Sequence, residues 1–406
     1  MRHTNIVCST LLVCLADGQE SGSRLGHLVA SSDAHSTERQ ISFGVACFRF
    51  SYWDEESNAI EPEAVLEAAR ATLEALPAVN NLETRPSLFS HEIVMDQDLR
   101  PSLQDGHPVV SPRAEQFDFD LYVPERVQAA LFEAAMTGLP PDTGTERFRV
   151  HIRDTFHGEV AYVQPLEPDG EHSPSSAVQV VREFLRGNFK DPAGRVQFET
   201  LGPSPFHAEF HLALGSVPDG QAFSLELTRP RGYADLRFVA NDRSFHSLDK
   251  ALDELLFELS DQLGLFYEVT ALRAQAIREW GALGDQIERL LEKRNTPTQW
   301  RRRHSARRLA LDDLMNDLAR FEIAQAYRQS AITEHRRNLN DPAGGTHLSE
   351  FVNGAIKEFP QYPTEQVGRV LAFHWNRRQK RMEYAVAVVS ALVGVAGTLL
   401  TLAAIK

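Results

Sequence analysis

Two histidines and a glutamate alternate along one short segment, Phe206-His-Ala-Glu-Phe-His211. Successive side chains of a β-strand point to opposite faces, so His207, Glu209 and His211 would share one face. Imidazole nitrogens and carboxylate oxygens are ligands that Zn²⁺ accepts in proteins. The spacing therefore makes these three residues a candidate metal site. A solvent-facing polar row on a half-buried strand is the alternative.

A second segment, His151 to Glu159, is dense in acid–base groups and contains a tight turn predicted over residues 155–158. General acid–base catalysis needs titratable groups within hydrogen-bond reach, and this segment supplies the residue types. His157 and Glu159 would add ligands to the metal site if their strand lay beside that of His207. A polar hairpin tip is the alternative.

Other catalytic signatures are missing from the sequence, which has no Gly-rich phosphate loop, nucleophile elbow or Cys-x-x-Cys pair. The three cysteines, Cys8, Cys14 and Cys47, have no flanking base that would activate a thiolate. Their small, odd number suits a reducing compartment better than a disulfide framework. The sequence thus gives an enzyme no positive support and identifies no cofactor, and a metal-dependent enzyme is the lesser alternative.

Acidic residues dominate the first 250 residues, with 37 Asp or Glu against 21 Lys or Arg, in a chain whose formal net charge is −14. Neutralising phosphates requires clustered cations, so this balance argues against nucleic acid as a partner. One basic turn is the exception and is a candidate lipid-binding site. A solvated hairpin tip is the alternative, and nucleic acid is a lesser alternative partner for this turn. Its residues are Arg294, Trp300, Arg301, Arg302, Arg303, Arg307 and Arg308.

The last apolar stretch, residues 384–405, is 22 residues long. As a helix it would measure roughly 33 Å, which matches the hydrocarbon core of a bilayer and predicts a transmembrane helix. Four cations precede it, and the positive-inside rule then places the N-terminal bulk in the cytoplasm. These cations are Arg377, Arg378, Lys380 and Arg381. We therefore expect a single-pass, tail-anchored membrane protein.

Small residues recur along the same stretch and predict a helix-packing face that supports a homo-oligomer. They are Ser390, Gly394, Gly397 and Thr398. A passive anchor is the alternative.

The preceding elements predict an acidic α+β head over residues 1–245, with a mainly antiparallel sheet. The head forms one domain, or two subdomains with a break near residues 100–115. Apolar residues then recur every three or four positions through residues 246–340, which indicates a long antiparallel helical hairpin. A linker with a short helix covers 341–363, and a juxtamembrane stalk helix over 364–383 leads into residues 384–405.

This layout resembles that of CorA-type divalent-metal transporters over roughly residues 245–395. The family has two spans and a Gly-Met-Asn signature after the first, and neither occurs in this sequence. The favoured function is a tail-anchored scaffold or sensor whose head binds an unknown protein or small ligand and whose helical stalk couples it to the lipid bilayer. The resemblance implies the alternative, an oligomeric transporter, and a membrane-perturbing effector belongs to the same class.

Overall fold

The computed structural model describes most of the chain beyond residue 39. The described residues are 40–52, 62–86, 99–103, 108–111, 114–134, 143–168, 172–191, 194, 196–202, 206–218, 220–229, 233–292, 300–339 and 347–404.

Twelve strands lie within these residues. They are β1 Ile41–Ala46, β2 Phe48–Tyr52, β3 Val79–Pro86, β4 Leu99–Pro101, β5 Pro108–Val110, β6 Ala114–Tyr122, β7 Arg147–Thr155, β8 Gly158–Pro165, β9 Val196–Thr200, β10 Ala208–Gly215, β11 Phe223–Thr228 and β12 Ala234–Asn241.

Seven helices accompany the strands in the described residues. They are α1 Pro62–Glu74, α2 Glu125–Ala134, α3 Pro174–Asn188, α4 Leu248–Glu292, α5 Trp300–Leu339, α6 Ser349–Lys357 and α7 Thr364–Ala404. Proline at the first helical position suits α1 and α3, because that position makes no intrahelical N–H bond.

The strands form an eight-stranded sheet, in the order β11-β12-β10-β1-β8-β7-β6-β3, and a four-stranded sheet, in the order β4-β5-β2-β9. The paired strands are antiparallel except β10 and β12, which run parallel. The chain crosses from the larger sheet to the smaller at Cys47, between β1 and β2. The head is therefore α+β with a mostly antiparallel sheet.

Successive side chains of the large sheet point to opposite faces and belong to two separate hydrophobic cores, one on each face. On one face Ala161, Val163 and Phe148 pack with α1, α2 and α3. On the other face Phe43, Tyr162 and neighbouring residues pack against the first half of α4. The Tyr162 hydroxyl donates to the Leu256 carbonyl of α4 at 3.0 Å and lies 2.9 Å from the Ser260 hydroxyl. α4 is thus both a layer of the head and one arm of the helical hairpin.

Helices α4 and α5 run antiparallel, since Glu268 of α4 faces His335 while Glu279, further along α4, faces Arg328. Their apolar faces meet around Leu283, Leu314 and Phe321, where the start of α7 also packs. We call α4 and α5 the helical pair.

The predicted membrane helix is wrong. No helix among the described residues is long and apolar enough to cross a membrane. This finding overturns the transmembrane element of the predicted fold, the tail anchor and the single-pass membrane location.

The apolar patterns of residues 4–15 and 88–95 also predict strands, and both segments lie outside the described residues. A strand that the sequence pattern did not indicate, β3, pairs instead with β6 and bulges between Asn80 and Glu83.

Candidate metal centre

Three elements that are distant in sequence meet at one point. His157 lies in the two-residue turn between β7 and β8, Glu268 lies in α4, and His335 lies near the end of α5. Glu268 Oε2 lies 2.8 Å from His157 Nδ1 and 3.2 Å from His335 Nδ1. One ligand atom from each residue lies within 4.8 Å of the other two, and no other such group occurs in the described part of the chain. We call this set the junction cluster.

The turn that carries His157 is held by its own residues. The Thr155 hydroxyl donates to the Gly158 carbonyl at 2.8 Å and accepts the His157 N–H at 3.1 Å. Gly158 has φ +126°, a conformation that side chains disfavour, so glycine suits this position. The hairpin therefore presents the His157 ring in a fixed direction.

Gly264 of α4 lets this turn approach the helix. A Cβ atom at Gly264 would lie 2.4 Å from Thr155 Oγ1 and 3.1 Å from His157 Cβ, too close for any side chain without a shift. Glu268 lies four residues further along α4, on the same face of the helix. Because Gly264 has no side chain, the β7–β8 turn can pack closely on α4. His157 then reaches the carboxylate of Glu268, one helical turn further along.

The junction cluster is largely shielded from solvent. The side chains of His157, His335 and Glu268 are 8%, 15% and 25% exposed. The two imidazole rings lie 4.8 Å apart between centroids. The ring of Phe156, 64% exposed, stands edge-on to both at 5.3 Å. A hydrophobic cover around ligating groups lowers the local dielectric and limits solvent access.

Two imidazoles and a carboxylate can bind a divalent transition metal. Ligand atoms about 2.0–2.2 Å from a tetrahedral Zn²⁺ lie roughly 3.3 Å from one another. The distances from Glu268 Oε2 to the two imidazole nitrogens, 2.8 Å and 3.2 Å, are close to this value. Three protein ligands leave a fourth coordination position for water or for a group from a partner. The three residues can also be held together without a metal, when both imidazoles carry a proton on Nδ1 and donate hydrogen bonds to Glu268 Oε2.

The predicted metal ligands of β10 have separate surroundings. His207 is exposed, with its ring 5.3 Å from that of Tyr233. Glu209 Oε1 accepts the Ser173 hydroxyl at 2.6 Å. His211 Nδ1 lies 2.8 Å from the Ser42 hydroxyl, and burial lowers the pKa of its imidazole. The structure does not bring His207, Glu209 and His211 together around one point.

His157 and Glu159 are no neighbours of β10, because β1 lies between β10 and β8. The two residues also point in different directions. His157 faces the helical pair, whereas Glu159 is buried on the opposite side of the sheet, where it accepts from Arg49 Nε at 2.8 Å. His157 and Glu159 therefore belong to two different sites, one with Glu268 and one with Arg49.

His151 pairs with a different acid, Asp118 of β6, with 2.9 Å between Nδ1 and Oδ1. Burial alone would raise the pKa of Asp118. The hydrogen bond from His151 and the charge of Arg153 more than offset burial and lower that pKa to about 2. The predicted acid–base segment of residues 151–159 is thus divided among three partners on both faces of the sheet.

Little is described at the predicted basic and small-residue positions. Arg294 lies outside the described residues, and the side chains of Trp300, Arg301, Arg302, Arg303, Arg307 and Arg308 are not described either. The same holds for the side chains of Arg378, Arg381, Gly394, Gly397 and Thr398. Arg377, Lys380 and Ser390 are exposed on α7.

The sequence pattern missed Glu268 and Gly264 and did not connect His335 with His157. One signal was available: His335 continues the apolar spacing of α5, through Ala331, to a position that packs against α4. A histidine at such a position needs a polar partner, and Glu268 supplies it.

Comparison with protein-family models, with curated proteins and with solved structures gives no match to this chain. The resemblance to CorA-type transporters, the homo-oligomer and the partner of the head therefore stay predictions.

Proposed function

We propose that this protein is a metal-responsive scaffold or sensor that binds a divalent transition-metal ion through His157, Glu268 and His335. The observation that carries the proposal is the convergence of three ligand atoms from a hairpin turn and two helices. The ion joins α5 to the head, of which α4 is already a layer. Metal concentration then controls how firmly the two parts are held together.

The coupling follows from where the ligands come from. His157 and Glu268 are 111 residues apart, and Glu268 and His335 are 67 residues apart. All three meet only when the β7–β8 turn, α4 and α5 are packed, so the binding free energy of the ion stabilises that packed arrangement alone. At 100 times its Kd, an ion adds about 2.7 kcal/mol to the stability of the state that binds it.

The ligand types determine the class of ion. Imidazole suits Zn²⁺, Cu²⁺, Ni²⁺ and Fe²⁺, whereas Ca²⁺ and Mg²⁺ prefer shells built from oxygen atoms. Two imidazoles against one carboxylate therefore favour zinc-type ions over alkaline-earth ions. A partner molecule can bind the ion directly at the fourth coordination position, which the three protein ligands leave open.

Zinc titration of the full-length protein by isothermal calorimetry tests the proposal. We expect one Zn²⁺ per chain and no comparable binding of Mg²⁺. The variant His335→Ala loses this binding. The matched control His374→Ala, which removes an exposed histidine of α7, keeps it.

The result that would overturn the proposal is equal zinc binding by His335→Ala and by the wild-type protein. Failure of the wild-type protein to bind zinc would overturn it as well. Circular dichroism spectra of both variants show whether a loss of binding comes from a loss of fold.

A further inference from the structure

A second cluster of reactive side chains lies on the other face of the large sheet. It consists of Ser42 of β1, His211 of β10 and Asp235 of β12, on three adjacent strands. Ser42 and His211 are directly paired in the antiparallel register, and the Ser42 hydroxyl lies 2.8 Å from His211 Nδ1. Asp235 Oδ1 lies 3.4 Å from His211 Nε2. We call this set the sheet cluster.

The order of these groups is that of a nucleophile, a base and an orienting acid. The Asp235 carboxylate favours the proton of a neutral imidazole on Nε2, which leaves Nδ1 free to accept the Ser42 hydroxyl proton. A serine hydroxyl is a weak nucleophile alone and becomes effective when an adjacent base removes its proton. Such an arrangement is defined by geometry and roles rather than by position in the chain.

Helix α3 begins beside this cluster. Gly44 lies two residues from Ser42 on the same face of β1, about 7 Å along the strand. A Cβ atom at Gly44 would lie 2.7 Å from the Pro174 carbonyl oxygen, at the first residue of α3. The preceding Ser173 donates to Glu209, which is adjacent to His211 on that face. The N-terminal end of a helix carries partial positive charge and stabilises nearby anions. At the start of α3 this anion is the Glu209 carboxylate, which is held beside His211.

The sheet cluster is partly buried, to about the same degree as the junction cluster. The side chains of His211 and Asp235 are 16% and 17% exposed, and Ser42 is half-buried. The carboxylates of Glu209 and Asp235 flank the imidazole, and Arg237, 3.0 Å from Asp235, offsets only one of these two negative charges. The remaining negative charge disfavours an anionic ligand. A neutral carboxylic ester fits these surroundings better than a phosphate or a carboxylate.

We propose that the sheet cluster is a nucleophilic site that hydrolyses neutral carboxylic esters, with Ser42 as nucleophile and His211 as base. Asp235 acts through His211 and is a positioning residue. This activity is separate from the proposed metal binding, because the junction cluster lies on the α4 side of the same sheet.

The reaction needs only the ester and water. Ser42 Oγ attacks the carbonyl carbon while His211 Nδ1 takes the hydroxyl proton, and the carbonyl π electrons move to the oxygen. When the intermediate collapses, the C–O bond to the leaving alkoxide breaks and His211 returns the proton to it. Water then attacks the acyl-serine with His211 as base, which releases the carboxylic acid and restores the Ser42 hydroxyl.

Labelling of the full-length protein with a fluorophosphonate probe tests the proposal, with the modified residue identified by peptide mass spectrometry. We expect the probe on Ser42 and no label at that peptide in Ser42→Ala. His211→Asn removes the general base and slows labelling by at least about 100-fold. The control Ser224→Ala, which removes a half-buried serine of β11, labels Ser42 at the wild-type rate.

Hydrolysis of p-nitrophenyl acetate gives the second measurement. Asp235→Asn lowers kcat and leaves KM unchanged, and Asp235→Glu restores part of kcat, whereas a purely structural role would not separate the two constants. A folded wild-type protein that leaves Ser42 unlabelled would overturn the proposal. A labelling rate unchanged in folded His211→Asn would overturn it too. Chelators leave the labelling of Ser42 unchanged, which separates this test from that of metal binding.

Discussion

The junction cluster and the sheet cluster are both built around histidine and carboxylate, but different forces hold them in place. In the sheet cluster the backbone register of β1, β10 and β12 sets which residues are adjacent. In the junction cluster the packing of a hairpin turn on two helices sets the distances. Hydrogen-bonded strands keep groups in one geometry, whereas packed helices can separate.

This difference suits the two clusters to different tasks. Catalysis needs groups held within a fraction of an ångström of the productive geometry, which a sheet provides. Regulation needs two states that a ligand can bias, which an interface between a hairpin and helices provides. The pair Asp118–His151 is a third arrangement of the same residue types, and we expect it to contribute to stability alone.

The largest loss of stability is expected from a change at Glu159, which lies in the β7–β8 hairpin but belongs to neither cluster. Glu159→Ala leaves the buried Arg49 without this carboxylate, and breaking a buried pair costs about 3–5 kcal/mol. Chemical denaturation measures the loss. Zinc affinity of the folded fraction stays at the wild-type value, because Glu159 points away from the junction cluster.

The control for this change is Glu74→Ala, which breaks the exposed pair Arg70–Glu74 and is expected to cost much less stability, because solvent screens an exposed ion pair. Similar losses in the two variants would contradict the importance of the buried pair.

The second prediction concerns zinc affinity and tests whether the junction cluster acts independently of the sheet cluster. Glu268→Gln removes the only anionic ligand of the junction cluster and is expected to weaken zinc binding at least about 100-fold, or 2.7 kcal/mol. The stabilisation of the wild-type protein by zinc in thermal unfolding disappears with it. The rate of Ser42 labelling stays within twofold of wild type. A parallel loss of both properties would show that the two clusters are one functional unit.

Gly264 tests the packing on which the junction cluster depends. Gly264→Ala places a methyl group against the Thr155 hydroxyl and is expected to cost about 1–3 kcal/mol in the free energy of unfolding, with weaker zinc binding. The matched control in the same helix is Gly281→Ala, where no described atom beyond the adjacent helix backbone lies within 4 Å of the added methyl group.

At Gly281 the higher helix propensity of alanine is expected to stabilise the protein by up to about 1 kcal/mol. The sign of the effect is therefore opposite at two glycines of one helix. Two changes of equal sign, measured by urea denaturation, would refute the close approach at Gly264.

The pair Asp118–His151 predicts a pH dependence. Because the pKa of Asp118 falls from an ordinary 3.8 to about 2 in the folded protein, its carboxylate stabilises the fold above pH 4. This contribution, about 2 kcal/mol, is lost as the pH falls from about 4 to about 2. Urea denaturation across that range measures it.

Asp118→Asn is expected to remove this part of the pH dependence, whereas Asp285→Asn, at an exposed site of α4, keeps it. An unchanged acid profile in Asp118→Asn would show that other carboxylates carry the acid sensitivity. Ser42 labelling and zinc binding at neutral pH stay unchanged if the pair contributes to stability alone.

Local patterns in the sequence were sufficient for most elements. The Phe117–Tyr122 segment alternates apolar and polar residues, which is typical of a strand and matches β6, and Pro62 occupies the first position of α1. The apolar repeat of the predicted helical hairpin matches the 45-residue α4. These patterns work because strand and helix periods are properties of neighbouring residues. The same local reasoning placed Glu209 and His211 on one face of a strand.

The apolar stretch at residues 384–405 shows where such patterns fail. Its composition alone predicted a membrane helix, and the described helices include none long and apolar enough. Local patterns do not indicate which strands are adjacent. They predict a metal site at Glu209 and His211, whereas in the structure these residues contact Ser173, Ser42 and Asp235.

The sequence by itself therefore determined the elements, the acidic balance and the residue types available for chemistry. The tertiary structure decided which of those residues meet. Ser42 and His211 are 169 residues apart, and His157 and Glu268 are 111 residues apart. Contacts over such separations depend on strand order and helix packing, which are set by the burial of side chains from the whole chain rather than by any local pattern.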